Sequence, residues 1–245
     1  MTAPALHLAG RLHSGETTLI DAFDLKLPAE QWSVLLGPSG VGKTTLLRLI
    51  AALPSAARLE GDITACDGAP IASRVTMMAQ DDQLLPWASA VDNVTICARL
   101  RGERPRPDRA KALLAEVGLA DLAARKPSHL SAGQRQRVAL SRALYEDRAI
   151  VLLDEPFSAL DAMTRHTMQD LAARLLAGRT VVLITHDPAE AIRLADFAWI
   201  LTRAGITPCD LPCSSPPRAP EATATIAAQA ALLQRMRLIP ATVAS

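Results

Sequence analysis

The sequence predicts an α/β fold: a parallel sheet covered by helices, with an antiparallel β unit at its N-terminal side and a helical insertion. Three observations predict it. Apolar runs of strand length, at 32–36, 150–153 and 181–185, alternate with longer stretches of helical periodicity at 44–53, 163–176 and 188–194. Residues 1–31 give short alternating segments on either side of His13-Ser-Gly, which suit antiparallel strands. Between Pro86 and Pro127 the β-rich pattern stops, and Ala, Leu and charged residues recur at helical spacing around Arg101-Gly-Glu-Arg-Pro-Arg-Pro.

Taken in order, the run at 32–36 is apolar almost throughout, and it leads through a glycine-rich turn into the helix expected at 44–53. Ile150-Val-Leu-Leu-Asp154-Glu155 is a strand of the buried type that ends in two acids. Val181-Val-Leu-Ile-Thr185 is a third such run, closed by His186. After Arg203 the order weakens into Pro208-Cys-Asp-Leu-Pro-Cys-Ser-Ser-Pro-Pro, followed by an Ala-rich stretch at 223–236. A tail or an appended packing helix is expected there rather than a second domain. The expected division is a main domain over 1–203, with a helical subdomain at about 86–135, and a C-terminal tail or helix over 204–245.

The chain has 245 residues, of which 49% are hydrophobic and 21% charged, so it is too apolar to be disordered and long enough to bury a core. With 26 Lys+Arg against 25 Asp+Glu, the net charge is +1. That balance, with only 3% aromatics, argues against nucleic acid as a partner, because it provides neither a basic footprint nor stacking platforms. No stretch approaches the roughly 20 apolar residues of a membrane span. No secretory signal is visible at the start, so the cytoplasm is the expected location. Cys66, Cys97, Cys209 and Cys213 lack paired C-x-x-C spacing and are expected as free thiols.

Gly37-Pro-Ser-Gly-Val-Gly-Lys-Thr44 fits G-x-x-x-x-G-K-[ST] between a strand and a helix, the context this motif requires. Its glycines let backbone N–H groups approach a polyphosphate at a helix N-terminus. Gly37, Pro38, Ser39, Gly40, Val41, Gly42, Lys43, Thr44 and Thr45 are the candidate phosphate cradle. Lys43 can reach the β and γ phosphates of a nucleoside triphosphate, and the Thr44 hydroxyl can ligate Mg²⁺. At the second strand end Asp154 is the candidate for holding Mg²⁺ through its water shell, and Glu155 for polarising the attacking water.

With Leu130-Ser-Ala-Gly-Gln-Arg-Gln-Arg-Val-Ala-Leu-Ser-Arg-Ala-Leu144 the chain closely resembles the ATP-binding cassette (ABC) ATPases over residues 5–203. The elements stand in family order: the phosphate loop at 37–44, Gln80 as the Q-loop glutamine, the signature Leu130-Ser-Ala-Gly-Gln134, the acids of 150–155, the D-loop Ser158-Ala-Leu-Asp161 and the switch histidine His186. The resemblance implies a P-loop NTPase (RecA-like) core that binds ATP and Mg²⁺. It also implies a head-to-tail dimer of cassettes in which Ser131, Gly133 and Gln134 of one copy face the nucleotide held by the other. The position of Ser131 at the start of a helix suits that role. Gln80 and His186 are implied as catalytic beside Glu155, with Gln80 also a metal ligand. His13 stands where the family usually carries an aromatic that stacks on adenine. Ala132 replaces a second glycine, which a helical φ tolerates and a positive φ does not. No chemistry is assigned to His7, His129 or His166.

In importer members of this family the region around the Q-loop receives a helix of a separate permease, and Leu84-Leu-Pro-Trp87 is read as an outward-facing apolar run in that region. Trp87 also suits a core position of the helical insertion. The Leu-Leu-Pro-Trp run and Asp161-Ala-Met-Thr-Arg165 resemble the nitrate, sulfonate, taurine and thiamine-precursor importers. The implied partners are an integral membrane permease, a second cassette and, indirectly, a solute-binding protein. The implied location is the cytoplasmic face of the inner membrane, as a peripheral subunit. Two rivals stay open: a DNA-repair type ABC ATPase, although no long coiled-coil or zinc insertion is present, and a weakly hydrolysing regulatory cassette, for which only Ala132 and His13 speak.

Overall fold

Runs that are apolar at nearly every position become central strands, because only a strand covered on both faces tolerates them. The computed structural model describes residues 2–239. In chain order its elements are β1 (Leu6–Ser14), β2 (Thr17–Leu27), β3 (Trp32–Leu36), α1 (Lys43–Ile50), β4 (Ala57–Ala65), β5 (Val75–Met78), α2 (Ala90–Leu100), α3 (Pro107–Glu116), α4 (Ala132–Tyr145), β6 (Ile150–Asp154), α5 (Ala162–Leu175), β7 (Thr180–Thr185), α6 (Pro188–Leu194), β8 (Phe197–Thr202), β9 (Gly205–Pro208) and α7 (Thr223–Arg237).

One sheet runs β5-β6-β7-β3-β8-β9, with every pairing parallel except β8 with β9. β3, β6 and β7 are buried at every residue. Alternation along them divides the core. Leu35, Ile150, Leu152, Val182 and Ile184 face α1 and the antiparallel sheet, while Val34, Leu36, Val151, Leu153 and Leu183 face α4, α5 and α6. The antiparallel sheet has the order β2-β1-β4. It therefore recruits a strand from 57–65, which the sequence reading, confined to residues 1–31, did not anticipate. β4 carries Glu60, Gly61 and Asp62 in its middle, so its apolar signal is weak; Leu59 and Ile63, with the small Ala57 and Ala65 at its ends, pack inward from it. The first helix stops at Ile50 rather than at 53. Ala52 turns to φ 53°, and the proline at 54 disfavours a helical Leu53.

α2 and α3 pack with α4 around a separate apolar cluster that includes Val94, Leu114, Leu119 and Val138. At the other end of the chain α7 packs on α6, and Leu232 reaches the main core. The buried Arg218 donates to the carbonyls of Ile192 and Ala195, both at 2.8 Å, and ties the proline-rich segment to the end of α6. Of the tail expected over 204–245, residues 240–245 lie outside the described residues. No helix among the described residues is long and apolar enough to cross a membrane.

Candidate active site

The parallel register brings three strand ends to one edge. Leu36 pairs with Thr185, and Asp154 pairs with Ile184, so the residues that follow β3, β6 and β7 emerge side by side. This is where open α/β sheets bind ligands. A cavity of about 480 Å³ opens there, lined by Ser39, Gly40, Gly42, Lys43, Thr44, Thr45, Gln80, Glu155, His186 and Leu19. Five stretches far apart in sequence, around Leu19, Ser39–Thr45, Gln80, Glu155 and His186, thus supply one site.

The loop between β3 and α1 takes its shape from two glycines above all. Gly42 has φ 103°, a conformation L side chains rarely adopt, and directly precedes α1. A Cβ on Gly37 would stand 2.6 Å from the carbonyl oxygen of Leu201, so the loop can leave the sheet only as glycine. Lys43 is buried, and its Nζ donates to the carbonyls of Gly37 at 2.8 Å and Pro38 at 3.0 Å. Burial lowers its pKa, and the nearby charges of Glu155 and Asp154 oppose that shift. The Val41 side chain packs in the core, so Val41 serves the loop through its backbone.

Thr44, Gln80 and Asp154, the three candidate metal ligands, line an adjoining cavity of about 320 Å³ that shares Thr44 and Gln80 with the first. Asp154 is 1% exposed, and its Oδ1 has no hydrogen-bond partner. Burial raises its pKa; the Thr44 hydroxyl lowers it, Glu155 raises it further and Lys43 lowers it. An orphaned buried carboxylate oxygen beside a hydroxyl and an amide oxygen is a hard donor set, which fits a divalent cation such as Mg²⁺.

Glu155 accepts from Gln80 Nε2 at 3.5 Å and lies 3.1 Å from His186 Nδ1, with both contacts at Oε2. Its backbone is in the left-handed region at φ 47°. The turn is pinned by Glu155 N donating to Ile184 O at 2.9 Å and by the Ser158 hydroxyl donating to Glu155 O, also at 2.9 Å. Ser158 was legible only as part of a motif, and its hold on the Glu155 turn needs the fold.

Ser131, Gly133 and Gln134 do not line this cavity. Ser131 caps α4 in a reciprocal capping box with Gln134. Ala132 is the first residue of α4 and is absent from the positive-φ positions, so its methyl group is compatible with the local backbone. Gly133 packs under Leu160, whose Cδ2 would lie 3.0 Å from an added Cβ. His13 does not line the cavity either. It pairs across β2 with Thr18, with 3.2 Å between Nδ1 and the hydroxyl, and its Nε2 lies 3.4 Å from Glu60. Leu19, which the sequence reading used only to place His13, is the residue of that region that reaches the site.

The run after Gln80 does not face outward as a whole. Leu84 turns into the helical cluster, while Trp87 is 70% exposed. Asn93, fully buried on α2, accepts from Leu85 N at 2.7 Å and donates to the carbonyls of Leu85, Ala88 and Ser89. From α4, Arg142 donates to the carbonyls of Asp82 and Gln83, and Arg135 pairs with the Asp82 carboxylate at 2.8 Å. None of these anchors carried a local signal beyond being polar residues on helices.

Fold and site together define a P-loop nucleoside triphosphatase. Comparison with known families narrows the class: the model of a family described as ABC transporter matches residues 20–158, more than half of the chain. The chain is 47% identical over 194 residues to the aliphatic sulfonates import ATP-binding protein SsuB 1 of Rhodococcus jostii, covering 78% of this chain and 76% of that one. It is 45% identical to an uncharacterized ABC transporter ATP-binding protein of Haemophilus influenzae, over 75% of this chain and 76% of the other. Over nearly full length, 96% and 95% of the two chains, it is 41% identical to the aliphatic sulfonates import ATP-binding protein SsuB of Delftia acidovorans. The chain belongs to the ABC transporter family, as one of its ATP-binding, ATP-hydrolysing subunits.

Proposed function

We propose that this chain powers uptake of a small sulfonate-type solute through a separate membrane permease, working as a peripheral subunit at the cytoplasmic face of the inner membrane. Similarity to three proteins of the ABC transporter family, two of them named for aliphatic sulfonate import, supports this reading. The observation that carries the ATPase part is the meeting of Lys43, Asp154, Glu155 and His186 at one sheet edge. A DNA-repair type or a regulatory cassette is not favoured by these relatives.

In this reading the Gly37–Thr45 backbone and Lys43 bind the ATP phosphates, and on the early strands Leu19, not His13, lines the cavity that receives them. Thr44, Asp154 and Gln80 would hold Mg²⁺, which when bound neutralises phosphate charge. Glu155 accepts the proton of the attacking water, because His186 and Gln80 fix its Oε2 and leave the other oxygen free. Ser131, Gly133 and Gln134 act on the nucleotide of a second cassette in a homodimer. The main domain of 1–203 then extends through β9, which completes its sheet, and carries α7 on α6, with the helical subdomain at about 86–135, and the solute is captured by a separate binding protein.

The test is Glu155→Gln, which keeps shape and removes the base. The variant is expected to bind ATP, to lose hydrolysis by about 10²- to 10³-fold, and to run as an ATP-dependent dimer in light scattering. Hydrolysis at the parental rate would remove Glu155 from its role, and a monomer at saturating ATP would remove the second cassette.

A further inference from the structure

The arginine-rich stretch at 101–106 takes no part in the nucleotide site, yet it lines a cleft of its own. The cleft, of about 300 Å³, lies between the end of α2, the start of α3 and the end of α4. Five arginines line it: Arg101, Arg104, Arg106, Arg109 and Arg148. Three carboxylates face them, from Glu103, Glu146 and Asp147.

The carboxylates are already matched. Arg101 pairs with Glu103 at 2.8 Å and with Glu146 at 2.5 Å, and Arg148 stands 3.9 Å from the same Glu146 oxygen. Arg109 reaches one oxygen of Asp147 at 3.3 Å, while Arg179 holds the other at 2.9 Å. Arg104 and Arg106 make no ion pair among the described residues. Two uncommitted positive charges therefore share one polar cleft in a chain whose net charge is only +1. The walls are steadied as well. The Arg109 guanidinium lies 5.5 Å from the Tyr145 ring centroid, and the Tyr145 hydroxyl accepts from the Arg106 backbone N at 2.9 Å.

We propose that this cleft is a binding site for a dianionic phosphoryl group, carried either by a soluble phosphate or by a lipid headgroup. The two uncommitted guanidinium groups match its charge, and their forked donors match its oxygens. The paired arginines, oriented by their carboxylates, supply further donors along the walls.

The test removes the competing phosphate site first, with Lys43→Ala, and then compares that protein with and without Arg104→Gln and Arg106→Gln. Both arginines are exposed, and the double substitution in the otherwise unaltered chain is expected to leave ATP hydrolysis and the thermal midpoint unchanged. Calorimetric titration with inorganic phosphate is expected to show binding that weakens at least about tenfold when the two arginines are lost. Flotation with phosphatidylcholine vesicles doped with phosphatidate separates the sources. Phosphate binding without flotation assigns a soluble ligand, and arginine-dependent flotation assigns a headgroup. Binding of both probes that is absent, or unaffected by the loss of Arg104 and Arg106, overturns the proposal.

Discussion

At Glu155 geometry and chemistry make opposite demands. A left-handed backbone costs a residue with a Cβ roughly 1–2 kcal/mol, and the bonds from Ser158 and to Ile184 hold it there, next to His186 and Gln80. Glu190 shows a second residue-scale conflict, a carboxyl 4% exposed that accepts from the Thr185 hydroxyl at 2.7 Å. Burial raises its pKa above 4.5, and the Thr185 bond opposes the shift. A carboxyl raised in the folded state favours folding while protonated; that contribution is complete below the unfolded pKa and disappears as pH rises through the folded one. Glu190→Gln keeps an acceptor without the charge. It is expected to be more stable than the parent at about pH 8, with the gap closing toward about pH 4. Urea unfolding at the two pH values checks this, and an unchanged gap would mean that Glu190 carries no such penalty.

At the scale of elements, α4 connects two places that the sequence presents separately. Its N-cap is Ser131 and its first turn holds Gly133, while about one and three turns further on Arg135 and Arg142 grip Asp82 and Gln83 just after Gln80. α2 completes the hold through Asn93. Asn93→Ala would leave the Leu85 amide and the Ala88 carbonyl without their buried partner, while the Leu85 and Ser89 carbonyls keep backbone donors, and a loss of about 2–3 kcal/mol is expected by urea unfolding. A loss within about 0.5 kcal/mol would show that water replaces the side chain. Helix α4 itself was expected from the signature run, with Ser131 at its start, and its capping box with Gln134 came from the structure. Its grip on 82–83 was not legible, because an arginine on a helix surface reads the same whether it faces solvent or a neighbouring loop.

For the molecule as a whole, the open question is how an ATPase without a membrane-spanning helix among its described residues acts on a membrane. The exposed Trp87, on a loop held from behind by Asn93, is the part of the surface that best suits a docked apolar partner. Trp87→Ala is expected to weaken association with the co-expressed permease at least about tenfold, as loss of an aromatic anchor does, and to leave the ATPase of the isolated subunit within about twofold. Pull-down and phosphate release measure the two. Equal loss of both would assign Trp87 to folding instead.

The sequence by itself determined the class of fold, the phosphate loop and the residues at its strand ends, because those rest on local rules: periodicity, apolar runs and a glycine pattern that one loop geometry requires. It placed Lys43, Thr44, Asp154, Glu155 and His186 as candidates without showing that they meet. Only the tertiary structure decided that Leu19 reaches the cavity and His13 does not, that Leu84 is buried and Trp87 exposed, and that β4 joins β1. Each of these depends on strand register and on which face a neighbouring element covers, and no stretch of sequence encodes that alone.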